Sequence, residues 1–215
     1  AYQEYLRGRH HWHNWSADSI RRAIGFFERA LEHDPAFALA YAGLGNAFGA
    51  LSYYGHIPPH EGFPRARAAA LRALELDPNL SDAHVTLALE RLFYGWDWPA
   101  AEAAIGKAVK LDPDSALAHT VRALIDVTCG RFDAALTGAR RGRALDPLSP
   151  FTNMGPAWVL HFAGRHDETI HELLDVLALK PGLEEAGNVL ITSYETLGRF
   201  EEALAVIARQ RCWQL

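Results

Sequence analysis

The residues best suited to chemistry are the histidines, eleven of them in 215 residues, with the run His10-His11-Trp12-His13 as the densest group. On a helix His10 and His13 share a face at i, i+3, a spacing that one metal ion can bridge. A metal centre also needs a third ligand and partners behind the ligands. The sequence offers neither a His-Glu-x-x-His pattern nor paired cysteines. His84 and His119 stand at bulky positions of apolar helical stretches and read as packed side chains. His161, His166 and His171 fall on a helix, a turn and a second helix, so closeness in sequence does not make them converge. The Gly-x-Ser-x-Gly elbow, the Gly-x-Gly-x-x-Gly phosphate loop and a Walker-type lysine are absent. Glu184-Glu185 and Glu201-Glu202 begin helices, where acidic side chains favour the positive end of the dipole. No catalytic residue, metal or cofactor is expected, and the chemistry sought is non-covalent binding.

The elements that would position a binding surface are marked by five helix stops: Asp34-Pro35, Asp77-Pro78, Asp112-Pro113, Asp146-Pro147 and Lys180-Pro181, spaced by 43, 35, 34 and 34 residues. Proline lacks the amide hydrogen and pushes its predecessor out of helical geometry, so a helix ends at each stop. The runs before the stops, such as Ala70-Leu71-Arg72-Ala73-Leu74-Glu75-Leu76, place apolar residues three and four apart and so bury one stripe per helix. Ala66, Ala101, Ala135, Thr169 and Ala203 occupy matching positions after or between the stops. Small residues there predict close helix crossings. A period near 34 predicts a helical repeat array, which presents a surface for holding other molecules.

Tyr41-x-x-Leu44-Gly45-x-x-Phe48 and the three turns Gly130-Arg131-Phe132-Asp133-Ala134-Ala135, Gly164-Arg165-His166-Asp167-Glu168-Thr169 and Gly198-Arg199-Phe200-Glu201-Glu202-Ala203 carry a resemblance to the tetratricopeptide repeat family. The resemblance implies an all-α, right-handed α-solenoid of about six antiparallel helix pairs. The repeats run approximately over 1–35, 36–78, 79–113, 114–147, 148–181 and 182–215, as one array with an insertion near 52–64. Three places depart from the pattern. The first repeat opens with a long His- and Trp-rich stretch. Pro58-Pro59 and Pro64 in the insertion forbid a simple helical extension. Gly95-Trp96-Asp97-Trp98-Pro99 replaces the usual turn, with Pro99 opening the next helix. Tyr5-Leu6-Arg7-Gly8-Arg9, Tyr54-Gly55-x-x-Pro58-Pro59 and Asp146-Pro147-Leu148-Ser149-Pro150 are similar to the repeat segments found C-terminally in bacterial signalling and transcription regulators, behind winged-helix, adenylate cyclase or kinase domains. That resemblance implies a regulatory part of a larger bacterial protein.

Composition narrows the class of partner. Apolar residues make up 49% of the chain, enough for a continuous core, yet no run approaches the roughly 18 residues of a membrane span. With 26 acidic against 21 basic residues the net charge is −5, which argues against a nucleic-acid surface, the Arg140-Arg141-x-Arg143 cluster aside. Cys129 and Cys212 are 83 residues apart and read as reduced thiols of a cytoplasmic protein.

The binding residues expected from helix register are Leu39, Asn46, Val85, Leu89, Phe93, Leu124, Met154, Trp158, Phe162 and Asn188, on the inner faces of the first helices. This strip is apolar in its middle and has no lysine or arginine, unlike family members that clamp a C-terminal carboxylate. Two readings stand for it: a groove accepting an amphipathic or extended segment of a protein or peptide, or positions that pack on the neighbouring repeat. Trp158 is the leading groove residue, whereas Trp12, Trp15, Trp96 and Trp98 read as packing around the irregular stretches. Tyr53, Tyr54, His56 and Phe63 in the insertion form either a specificity loop or a docked one. Leu204, Val206, Ile207 and Trp213 on the last helix predict self-association through the C-terminal edge, as a homodimer or a larger assembly.

Overall fold

The computed structural model describes the backbone of residues 1–213 and the side chains of residues 1–210. The expectations for the Cys212 thiol and the Trp213 ring lie outside the described residues. Twelve α-helices follow one another, with no strand among the described residues: α1 (Tyr2–His13), α2 (Ala17–His33), α3 (Ala38–Tyr53), α4 (Pro59–Leu76), α5 (Ser81–Glu90), α6 (Trp98–Leu111), α7 (Ala116–Thr128), α8 (Phe132–Leu145), α9 (Pro150–Phe162), α10 (His166–Leu179), α11 (Glu184–Thr196) and α12 (Phe200–Trp213). No helix is long and apolar enough to cross a membrane among the described residues.

The stops act as their chemistry dictates. Asp34, Asp77, Asp112 and Asp146 end their helices in extended conformations with φ of −148°, −142°, −136° and −138°, the region that a following proline enforces. Each carboxylate then accepts a backbone N–H just ahead: Ala36 at 3.0 Å, Asn79 at 3.0 Å, Asp114 at 3.2 Å and Ser149 at 3.2 Å. Aspartate therefore ends one helix and shapes the turn to the next. Inside the pairs, Gly55, Gly130, Gly164 and Gly198 turn the chain at φ between +71° and +74°, where glycine avoids the Cβ clash. The third pair lacks that glycine. There α5 runs into a π-helical turn over Arg91–Gly95, and Trp96 takes the left-handed conformation at φ +51° and is 73% exposed. Asp97 then caps α6 by accepting the N–H of Ala100 at 3.1 Å, with Pro99 in the first turn.

Close crossings follow from the small residues. Ala66, Ala101, Ala135 and Thr169 are wholly buried and Ala203 nearly so. First helices α3, α5, α7, α9 and α11 also touch in succession, which bends the stack into a right-handed superhelix with these helices inside. The expected loop at the insertion is corrected. Most of its residues lengthen α3 to 16 and α4 to 18 residues, and Pro64 lies inside α4. Pro58 and Pro59 open that helix at positions where no backbone donor is needed. Phe63 is 3% exposed and stacks on Tyr94 at 5.6 Å, so the stretch is docked.

One contact fixes the first pair. Phe27 of α2 is 1% exposed, and a Cβ added at Gly8 of α1 or Gly43 of α3 would come within 2.5 Å or 2.7 Å of its ring. Two glycines thus let α1 and α3 close on the same phenylalanine. With α1 held against α3, the turn between α1 and α2 points into the curve of the superhelix.

Candidate functional site

That turn, Asn14 to Ser16, reaches across the concave face. Ser16 caps α2 by accepting the N–H of Ser19 at 3.2 Å, and Trp15 sits before it at φ +48° with 9% exposure. The Trp15 ring lies 4.8 Å from Trp12, 6.0 Å from Tyr54 and 5.1 Å from Phe151 of α9. Phe151 continues to Trp158 at 5.2 Å, and Tyr54 to Tyr53 at 4.9 Å, with Tyr53 in turn 4.7 Å from Phe93. Offset and edge-on aromatic pairs at these separations add to the area they bury. Burial pushes the Tyr53 phenol up to about 12 and the Tyr54 phenol well above its ordinary range. Lys180 closes the far side by donating from Nζ to the Asn14 carbonyl at 3.0 Å. At the fifth helix stop, where the four before it have an aspartate that folds onto its own loop, the chain has a lysine that ties the array to its first turn.

The predicted strip is therefore divided. Val85, Met154, Leu124, Trp158 and Asn46 are 0, 2, 5, 6 and 8% exposed, and Leu89 and Phe93 are half-buried. Leu89, Phe93, Leu124 and Asn46 surround a residual apolar cavity of only about 20 Å³, together with Trp12 and Trp15. The expectation of an open apolar groove at these positions is corrected. The chain fills it, because exposed aromatic and aliphatic area gains free energy on leaving water. Leu39, Phe162 and Asn188 remain exposed, but they line neither this cavity nor the chamber described next.

Beside the aromatic fill the superhelix keeps a polar chamber of about 260 Å³. Tyr5, Arg9 and His13 of α1 form one wall, and the starts of α5, α7 and α9 form the other through Asp82, Asp112, Ser115, Asp146 and Thr152. Asn46 lines it too and holds α3 to α5 by accepting from Thr86 Oγ1 at 2.6 Å. Arg9 donates from Nη1 to Tyr5 Oη at 3.1 Å, while its Nε is buried without a partner. Asp82 receives no donor from the described residues. Burial raises its pKa, the Arg9 charge pulls it back and Asp112 pushes it up again. Burial lowers the His13 pKa, with Arg9 adding to the effect, which disfavours the charged imidazole. From sequence Asp112 and Asp146 are only helix stops, and Arg9 is only part of a motif. The signal that could have joined them is the repeat itself, which puts every stop loop on one side of the array.

The histidine run does not converge. His11 stacks on Phe26 at 5.1 Å and His13 turns to the chamber. His84 and His119 each place Nε2 beside a proline carbonyl, at 3.3 Å and 2.8 Å. His161 does meet His166, with ring centres 5.3 Å apart and Nδ1 3.1 Å from Ser193 Oγ. Among the described residues no three His, Cys, Asp or Glu side chains are placed to hold a metal ion. At the C-terminal edge, Leu174, Leu177, Leu190, Tyr194 and Val206 line a groove of about 410 Å³, and Leu204 is 65% exposed.

No family model and no curated protein sequence matches the chain. Solved structures do. A monomeric mutant of IFIT1 with Gppp-AAAA superposes with a TM-score of 0.82 at 18% identity, over 97% of this chain and 49% of that one. The human IFIT1 dimer with m7Gppp-AAAA gives 0.82 at 19% identity, over 97% and 49%. The chain spans about half the length of the IFIT1 chains it matches. TTC0263, a thermophilic TPR protein of Thermus thermophilus, gives 0.65 at 18% identity over 94% of this chain and 99% of its own. YrrB, described as a TPR protein with an unusual peptide-binding site, gives 0.50 at 20% identity over 86% and 90%. Likeness at these identities concerns the fold, and the fold is the tetratricopeptide-type α-solenoid that the motif resemblance implies.

Proposed function

We propose that the chain is a non-enzymatic scaffold that holds a segment of a protein partner at its concave side, in the chamber between α1 and the starts of α5, α7 and α9. The observation that carries this reading is the contrast within the concave face: the apolar part is filled by the chain's own aromatics, and the polar part stays open. IFIT1 structures hold triphosphate or capped RNA, but three carboxylates against one guanidinium make a poor seat for phosphate. A protein segment fits the charge better. The motif resemblance supports placement as a regulatory part of a larger bacterial signalling or transcription protein, and the reading of Cys129 and Cys212 as reduced thiols supports a cytoplasmic one. The test is selection from a displayed peptide library, repeated with Ala116→Phe, which fills the chamber from α7. Enriched peptides should lose binding to the variant. Peptides that bind both forms equally would place the site elsewhere.

A second reading is favoured by the exposed face of α12. Leu204 stands one repeat after Ile170, yet Ile170 is 5% and Leu204 65% exposed. Such a face suits assembly of the parent protein through α12. Light scattering at tens of micromolar tests it: a dimer mass lost in Leu204→Glu supports assembly, and a monomer mass for the unaltered chain removes it.

A further inference from the structure

We infer that the chamber seats a cation of the alkylammonium or guanidinium class, with Asp82 as its principal carboxylate. The inference rests on the reading of the chamber as the binding site and names the chemistry of what enters it.

The charge lining the chamber is predominantly negative. Asp82, Asp112 and Asp146 face the space with Arg9 as the one arginine or lysine among the lining residues, and burial together with Arg9 disfavours a charged His13. The starts of α5, α7 and α9 contribute positive dipole ends, each equivalent to roughly half a charge. Asp112 and Asp146 lie just ahead of two of these ends and already accept the N–H groups of Asp114 and Ser149. Asp82 differs. It lines the chamber wall half-buried, no donor among the described residues reaches it, and Arg9 acts on it through space without contact. A half-buried carboxylate that faces the chamber with no protein donor keeps its lone pairs free for the N–H groups of a ligand.

Size and access agree. A volume of about 260 Å³ falls below the roughly 300–1,000 Å³ of drug-sized pockets and suits one extended cationic side chain or a small amine. His13 and Asp112 are exposed and mark the mouth, whereas Asn46 lies inside at 8% exposure. Trp12, Trp15 and Phe151 on one side of the chamber offer apolar surface to a methylene stem. The guanidinium or ammonium then meets Asp82, and an acidic mouth draws it in.

The test is calorimetric titration of the whole 215-residue chain with agmatine, with the peptide Gly-Gly-Arg-Gly-Gly, and with inorganic phosphate. Saturable binding of a cationic probe is expected, weakened about tenfold or more in Asp82→Asn, because a charge-assisted hydrogen bond is lost. Arg9→Gln, which removes the competing cation, should bind severalfold more tightly and gives an independent test of the same charge balance. Tighter binding of the peptide than of agmatine would identify the source as a protein side chain, and the reverse order a free small amine. Phosphate binding without cation binding would overturn the inference, as would equal affinity in Asp82→Asn. If library-selected peptides depend on Ala116 but carry no basic residue and agmatine does not compete, the cation assignment fails while the scaffold reading survives.

Discussion

Two halves of one concave face behave differently. On the side of Leu89, Phe93 and Leu124 the superhelix folds its own Trp12, Trp15 and Phe151 into the curve, leaving about 20 Å³. On the side of Asp82, Asp112 and Asp146 it leaves about 260 Å³. Apolar surface in a concave strip is unfavourable while wet and is covered by whatever apolar group can reach it. Carboxylates lose by dehydration and keep their space. The contrast implies that the apolar residues which look most like a ligand site from sequence are core, and that the polar remainder is the accessible part.

Breaking the filled half should have the largest effect. Trp15→Ala removes a ring packed on Trp12, Tyr54 and Phe151 and should destabilise the chain by about 3 kcal/mol, the usual range for truncating a buried aromatic, measured from the urea midpoint. A loss below about 1 kcal/mol would mean that the turn does not pack in solution. Gly43→Ala acts one step back, on the contact that aims the turn. Its Cβ would press on Phe27, and overpacking of this kind costs about 2 kcal/mol, visible as a lowered Tm together with exposure of Trp15 to a fluorescence quencher.

The open half gives the opposite sign. Asp82 has a raised folded-state pKa, so the folded chain holds its proton more tightly than the unfolded chain, and the ionised group weakens the fold above that pKa. Asp82→Asn should therefore stabilise the protein at pH 7. The gain should fade as pH falls through the folded pKa, where the carboxyl becomes neutral in the parent and resembles the amide. Arg9, His13, Asp112 and Asp146 face the same space, so the profile is read as a difference between variant and parent. Stabilisation that persists unchanged to low pH would contradict the assignment. The smallest effect is expected where the fifth stop meets the first turn: Lys180→Met removes one hydrogen bond to the Asn14 carbonyl and should cost about 1 kcal/mol, accompanied by faster hydrogen exchange at the α1–α2 turn.

Much of the fold is legible in the sequence. Prolines, the aspartates before them and the turn glycines act within a few residues, and their local conformations follow from sterics. The closure is not. Trp15 meets Phe151 only because small rotations between successive helix pairs add up over four repeats, and no local pattern encodes that sum. For the same reason register puts Val85, Met154 and Trp158 on the inner face but does not say what covers them. Trp12 and Trp15 read from sequence as packing of the first repeat, yet their rings reach beyond it. Lys180, at a stop otherwise made of aspartate, is the visible irregularity, and it marks the place where the fifth stop meets the first turn.

The claim on which the rest depends is that the first turn fills the apolar half of the concave face. A nuclear Overhauser measurement between the Trp15 indole and the Phe151 ring tests it directly, since the ring centres are 5.1 Å apart. Strong cross-peaks, lost in Phe151→Leu at the same indole, are predicted. A folded protein with no Trp15–Phe151 cross-peak and a Trp15 indole open to solvent would contradict the account and return the apolar strip to the candidate site.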